Sequence, residues 1–273
     1  MNTERRITLC ADDFALHPAI DAAVQQLAEQ GRLSATSCMS TAPRWREAAR
    51  ALPALRNRLA VGLHFNLTEN HGARQSIGIG QIIAQAYARR LSVEALRSAW
   101  RQQLDAFEDA LGTPPDYIDG HQHVHQLPLV RAVMLDELQS RYGDRQLRPW
   151  IRSTTPAGPL RWQVKAATIA LLGGYTLTRQ LRARAWAMNT GFAGVYGFDA
   201  PTPAAYNAHM AQWLAACSDG SLLMCHPANA VVTGDAIGQQ RPVELAYLQS
   251  AAFGDLLAAQ DCSIVQTAQA IYQ

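Results

Sequence analysis

Ile7-Thr8-Leu9-Cys10-Ala11 is an apolar run of strand length, followed at once by Asp12-Asp13. Pro18 then stands at the head of a periodic segment that continues to Gln30 and stops at Gly31, and residues 35–39 form a second short apolar run. Proline at the first helical position and glycine just past the last are ordinary helix punctuation, so this stretch predicts strand, helix, strand. The same rhythm continues outward. Strands are predicted at 59–63, 117–118, 150–152, weakly at 195–196, then at 221–225 and 263–265. Helices are predicted at 44–52, 91–111 (Ser92 as N-cap, Gly112 closing), 127–142, 160–188 with a break at Gly173-Gly174, 203–217 and 243–260. Sustained β/α alternation means a parallel sheet. With seven or eight candidate strands and no internal linker, the expectation is an α/β fold, a closed or incompletely closed (β/α) barrel-like domain over residues 1–273, in preference to two small open sheets.

Composition narrows the function classes. The chain has 273 residues, 48% of them hydrophobic and 17% charged, too apolar for a disordered protein. Lys+Arg of 24 against Asp+Glu of 22 leaves a formal charge of +2, which argues against a nucleic-acid-coating protein. Five scattered cysteines without a CxxC pair read as small buried hydrophobes in a reducing compartment. Residues 1–6 lack the apolar core of a signal peptide, and the longest apolar stretch, near 166–175, is half of what a membrane span needs. A cytoplasmic location is expected.

The polar residues are informative by position. Four predicted strands end in groups that strands do not need for packing: Asp12-Asp13, His64, the run Asp119-Gly120-His121-Gln122-His123-Val124-His125, and His226-Pro227. In a parallel α/β fold the C-terminal strand ends converge on one face, so these acids and imidazoles should meet in space. Taken singly, two acids before a helix only favour its positive N-terminus, and one His after a strand is an ordinary structural residue. Three imidazoles at alternating positions are a stronger signal; if that segment is extended, all three share one side. The combined set, carboxylates and imidazoles without thiolates, suits a divalent metal with a position left open for water. A spare carboxylate beside it serves as proton acceptor and a spare His as proton donor.

The motifs Ala11-Asp12-Asp13-Phe14, Gly62-Leu63-His64-Phe65-Asn66-Leu67-Thr68 and Asp119-Gly120-His121-Gln122-His123-Val124-His125 resemble those of the YdjC-like carbohydrate deacetylases, the chitooligosaccharide and hopanoid-associated deacetylase group. The resemblance extends to His226-Pro227, Arg241 and Glu244, departs at Ala15 where many relatives carry Gly, and is silent over about 156–200. It implies a barrel-like fold and hydrolysis of an N-acetyl group on an amino sugar, with metal ligands at Asp13, His64 and His121. Asp12 would be the general base and His226 the acid or transition-state stabiliser. His123, His125, Arg152 and Asn66 would act in substrate contacts or behind the ligands. Two His and one Asp suit Zn²⁺ by softness, whereas the resemblance points as often to Mg²⁺. It also makes a homodimer an expectation, though no heptad or interface stripe supports one. The competing readings are another metal-dependent amide or ester hydrolase, such as a deformylase or phosphoesterase, and a non-catalytic sugar-binding protein.

Arg148, Arg152, Arg161, Arg179, Arg182 and Arg184, interspersed with Trp150, Trp162 and Trp186, are open to two readings. Arginines that clamp a phosphate, tryptophans that stack on sugars and an apolar helix at 164–172 lying against a lipid tail would select a phosphate- or lipid-linked amino sugar. The plainer reading is a solvated arginine face over core tryptophans.

Overall fold

The computed structural model describes residues 4–69, 77–145, 148–158 and 164–265. Eight strands form one parallel sheet: β1 (Arg5–Phe14), β2 (Ala35–Cys38), β3 (Ala60–Phe65), β4 (Tyr117–Gly120), β5 (Trp150–Ile151), β6 (Phe192–Ala193), β7 (Ser221–Cys225) and β8 (Cys262–Ile264). Their order is β5-β4-β3-β2-β1-β7-β6, with β8 pairing the start of β1. The chain beyond β5 then approaches β6. Pro156 forms a parallel bridge with Phe192, and Phe192 N donates to Thr155 O at 2.8 Å. The strands thus curl into a barrel whose seam is a loop-mediated join, an incompletely closed α/β barrel.

A barrel needs an interior layer, and one is present. Cys10, Ala35, Ala60, Tyr117, Trp150, Phe192, Leu222 and Met224, drawn from β1 through β7, make a buried cluster separate from the larger core. Small residues on β1 to β3 face large ones on β4 to β6, which fills the interior without a pore. The Tyr117 and Trp150 rings stack at 4.3 Å. Gly62 is required beneath them, since a Cβ there would lie 2.3 Å from the Tyr117 ring. The larger core lies outside the barrel, under the helices.

The helices are α1 (Pro18–Glu29), the short α2 (Trp45–Ala48) and α3 (Leu52–Leu55), α4 (Ile79–Tyr87), α5 (Val93–Leu111), α6 (Val130–Tyr142), α7 (Val164–Ile169), α8 (Tyr175–Ala183), α9 (Pro203–Ala216), α10 (Arg241–Leu248) and α11 (Ala251–Ala259). Ser92 caps α5 by accepting from Ala95 N, and Gly112 ends it at φ 68°.

Three expectations need correction. The sixth strand is Phe192–Ala193 rather than 195–196, because Gly191 packs against Ala157 and Gly194 against the Met224 backbone, which brings the chain alongside β7 earlier. The helix predicted over 160–188 is two, joined by a π-turn at Ala170–Gly174 with Gly173 at φ 136°, and α8 stops at Ala183. The helix predicted over 243–260 is also two, interrupted between Leu248 and Ala251.

Candidate active site

β1 ends in an irregularity that separates its two acids. Its register with β2 shifts between Ala11 and Phe14, and Asp13 takes φ 71°, a left-handed conformation that Asp tolerates better than most residues. As a result Asp12 and Asp13 meet different partners. Asp13 lies at the mouth of the barrel with His64, from the end of β3, and His121, which follows β4. Each offers a donor atom within 4.8 Å of the others.

The orientation of this trio is fixed from behind. His64 and Asp119 are register partners on β3 and β4, and Nδ1 of His64 meets Asp119 Oδ1 at 2.6 Å. Nε2 is thereby aimed at Asp13 Oδ1, 3.5 Å away. His121 Nδ1 lies 2.9 Å from Asp13 Oδ1, while its buried Nε2 makes no hydrogen bond and faces Glu69 Oε1 at 3.5 Å. Two imidazoles and a carboxylate, one imidazole backed by Asp119 and the other facing Glu69, are a donor set that fits a divalent cation.

Each acid also has its own arginine. Arg152, fully buried, grips Asp12 bidentately (Nη1 to Oδ2 2.8 Å, Nη2 to Oδ1 2.7 Å) and reaches Asp119 Oδ2 at 2.6 Å. A second cluster of donor atoms, Cys10, Asp12 and Asp119, is thus already engaged by the Arg152 guanidinium. Arg241 Nη2 donates to Asp13 Oδ2 at 2.6 Å, and its Nε is held by Asp235. Burial alone would raise both acids, but Arg152 together with His64 and His226 overcomes it at Asp12, and Arg241 with His121 and His64 at Asp13, so both are held well below the usual carboxylate range. At His64 burial disfavours the proton, yet Asp119 and Asp12 push its pKa up to about 10 in the metal-free protein.

The remaining imidazoles do not share one side. The segment His121–Gln126 is a 3-10 turn with Gln122 and His123 at φ 51° and 61°, not an extended run. His123 lines the pocket, edge-on to Phe192 at 5.4 Å, and burial reinforced by Arg152 lowers its pKa. His125 points inward, donates from Nε2 to Arg152 O at 3.0 Å, and burial lowers it to about 4. His226 lines the pocket with its backbone N–H on Glu244 Oε2 (2.6 Å), its ring against Phe198 and Nδ1 unpartnered. Burial pushes its pKa down, against the opposing pull of Asp13, Glu244 and Asp12. Asn66 does not line the pocket. Its Oδ1 accepts from Thr68 N and Glu69 N, a local turn that aims Glu69 at His121.

Asp12, Asp13, His64, His121, His123 and His226 therefore converge on one pocket of about 730 Å³, while Arg152, His125 and Asn66 support it from outside. The arginine- and tryptophan-rich segment does not supply a sugar platform. Trp150 and Trp186 are buried, Arg148 covers Trp186 at 4.7 Å, and Arg179, Arg182 and Arg184 stand exposed away from the pocket lining. Arg161 and Trp162 lie outside the described residues. Asp119, Glu69 and the Arg241–Asp13 pair carry site geometry that sequence reading did not assign. Strand register was the available signal for Asp119, and Arg241 had none beyond the reach of the family resemblance.

A family model described as "YdjC-like protein" matches residues 6–259. Among curated relatives, a human carbohydrate deacetylase is 31% identical over 157 residues, covering 52% of this chain and 48% of that protein. A Serratia marcescens chitooligosaccharide deacetylase is 31% identical over 135 residues, 46% of this chain and 53% of that protein. The chain thus matches about half the length of each. A solved structure from Enterococcus faecalis V583, given the provisional description of a cellobiose-phosphate cleavage protein, superposes with a TM-score of 0.68 at 17% identity, covering 99% of this chain and 100% of that one, a likeness of fold.

Proposed function

The chain belongs to the YdjC-like family, and from that premise we propose that it hydrolyses the N-acetyl group of an amino sugar at a divalent metal, Mg²⁺ or Zn²⁺, held by Asp13, His64 and His121. The observation that carries this reading is the adjacency of two differently partnered acids at one pocket. Asp13 faces two imidazoles, and Asp12, beside it, is anchored on Arg152. When bound, the ion lowers the pKa of a coordinated water and polarises the amide carbonyl.

Asp12 accepts the water proton as the attack proceeds. Both of its oxygens are held by Arg152, so the carboxylate cannot rotate, and the charge of Arg152 keeps it ionised and ready to accept. A base of such low basicity also releases the proton readily, and the departing amine receives it. His226 is uncharged at neutral pH because burial lowers its pKa. It therefore acts as a hydrogen-bond donor to the developing oxyanion. Arg152 and His125 hold these groups in place through the Arg152 carbonyl and guanidinium.

The test is acetate release from N-acetylglucosamine and di-N-acetylchitobiose by metal-stripped protein, then after adding Mg²⁺ or Zn²⁺. Metal-dependent acetate is expected. Bound metal with no acetate from either sugar would move the site to a different acyl group or ester. Asp12→Asn should keep its metal and lose about 10²–10⁴-fold in turnover; unchanged turnover removes Asp12 from the base role.

A further inference from the structure

Asp13-Phe14-Ala15-Leu16-His17 carries the chain from the end of β1 to the head of α1, and it departs from local preference three times. Asp13 and Ala15 both stand in the left-handed region, at φ 71° and 76°, where a residue with a Cβ is strained. His17 is the N-cap of α1, a position that Ser, Thr, Asp and Asn fill best. The turn is nevertheless held tightly. Leu16 N donates to Asp13 O at 3.1 Å, and Ala15 N donates to Asp21 Oδ1 at 2.7 Å. Arg44 grips the other oxygen of Asp21 at 3.1 Å. Unfavourable local choices kept in place by the bonds around them mark functional sites. Asp13 has its task among the donors at the barrel mouth, and Ala15 shapes the turn behind it. Capping alone does not account for a histidine at position 17.

The cap itself defines what the rest of the ring can do. Nδ1 of His17 accepts from Ala19 N at 3.1 Å. An imidazole that accepts at Nδ1 carries its hydrogen on Nε2, so the cap fixes Nε2 as a donor. His17 is half-buried and lines the same pocket as Asp12 and Asp13. With Nδ1 turned to the backbone of α1, the Nε2 edge is the part of the ring left for the pocket. Among the described residues nothing accepts a hydrogen bond from it. Other polar groups on the wall are already committed. The Lys165 ammonium donates to Tyr196 O at 2.7 Å, Asp235 holds Arg241, and the Tyr196 hydroxyl donates to Glu244.

We propose that His17 is a specificity-determining residue that binds the sugar directly, its Nε2–H donating to a ring hydroxyl. The inference rests on the deacetylase reading for its sugar. In that reading the metal and His226 take the acetamide carbonyl, which leaves the hydroxyls as acceptors for a further donor. Its test is binding rather than turnover, so the two can fail separately. Metal-free protein is titrated calorimetrically with the methyl glycoside of N-acetylglucosamine and with its 3-, 4- and 6-deoxy analogues, as wild type and as His17→Ser. Serine keeps the cap but is too short to reach where Nε2 stood. The urea midpoint should therefore hold or rise, while Kd for the parent sugar weakens by about two- to ten-fold, the worth of one hydrogen bond. One deoxy analogue should bind wild type as weakly as the parent binds the variant, and should not register the substitution. His17→Ala should show the same loss of affinity with a lowered midpoint, since it removes cap and donor together. The proposal is overturned by no measurable binding of the parent sugar, by equal affinity of wild type and His17→Ser, by a loss that comes with a lowered midpoint in His17→Ser, or by an equal loss for every analogue. Absence of acetate from metal-loaded wild type, with His17-dependent binding intact, overturns the deacetylase reading alone.

Discussion

Strands β1 to β4 and strands β5 to β7 are built differently. The first four run for ten, four, six and four residues; β1 carries Asp12 and Asp13, β3 carries His64, and His121 follows β4 directly. β5 and β6 have two residues each, and their connections bend through a π-turn and left-handed glycines. That half contributes Arg152, His226 and Arg241. The regular half thus supplies the groups proposed to hold a metal, and the irregular half sets their charge across 140 and 228 residues of sequence. Donor identity is a local property of strand ends. Protonation and orientation are properties of the closed barrel.

The largest effect should come from the regular half. Asp13→Ala should remove bound metal and reduce acetate release by at least about a thousand-fold, measured as metal content and turnover on one sample; a variant that kept both would dissolve the distinction. In the irregular half, Arg241→Met should leave the donors in place and weaken metal affinity by about 10–100-fold, read by titration against a chelator. It should also destabilise the fold, because Asp13 and Asp235 lose a buried cation. Loss as complete as that of Asp13→Ala would put Arg241 on an equal footing with a ligand, and no change would make it a bystander.

The smallest effect is on stability against pH in the metal-free protein. The His64 pKa is raised, so the stabilisation from its proton is fully present below about 6.5 and is lost as pH rises through about 10. The urea midpoint should fall across that window, and His64→Asn should flatten the fall. Asp12 and Asp13 have depressed values, so their contribution is present above about 3.8 and disappears as pH drops below it. A midpoint that does not change between about pH 6.5 and 10 would mean that Asp119 does not hold the His64 proton.

The same division explains what could be read from sequence. β1, α1 and β2 are legible because apolar runs of adequate length are bounded by Pro18 and Gly31, although β1 runs on through Asp12 and Asp13 to Phe14 and β3 includes His64. β6 lies three residues before its predicted position because a two-residue strand has no periodicity, and its place is set by how closely Gly191 approaches Ala157 and Gly194 the Met224 backbone. The histidine run was legible as chemistry but not as geometry, since nothing local announces left-handed Gln122 and His123. Arg152 was named without its task. Its bidentate grip on Asp12 exists only once β5 has come round to face β1.

β1 lies inside the sheet rather than at its edge, pairing with β2, β7 and β8. During synthesis this means that β1 gains β2 early but waits for residues 221–264 before its other partners exist. Until then an eight-residue stretch of buried character, holding Asp13 whose partner Arg241 is not yet made, presents an open edge. Such long-range pairing is slow and leaves intermediates prone to associate. Truncations that stop before β7 should therefore aggregate instead of forming a smaller soluble barrel, and ribosome-bound chains should acquire protease resistance late and in one step.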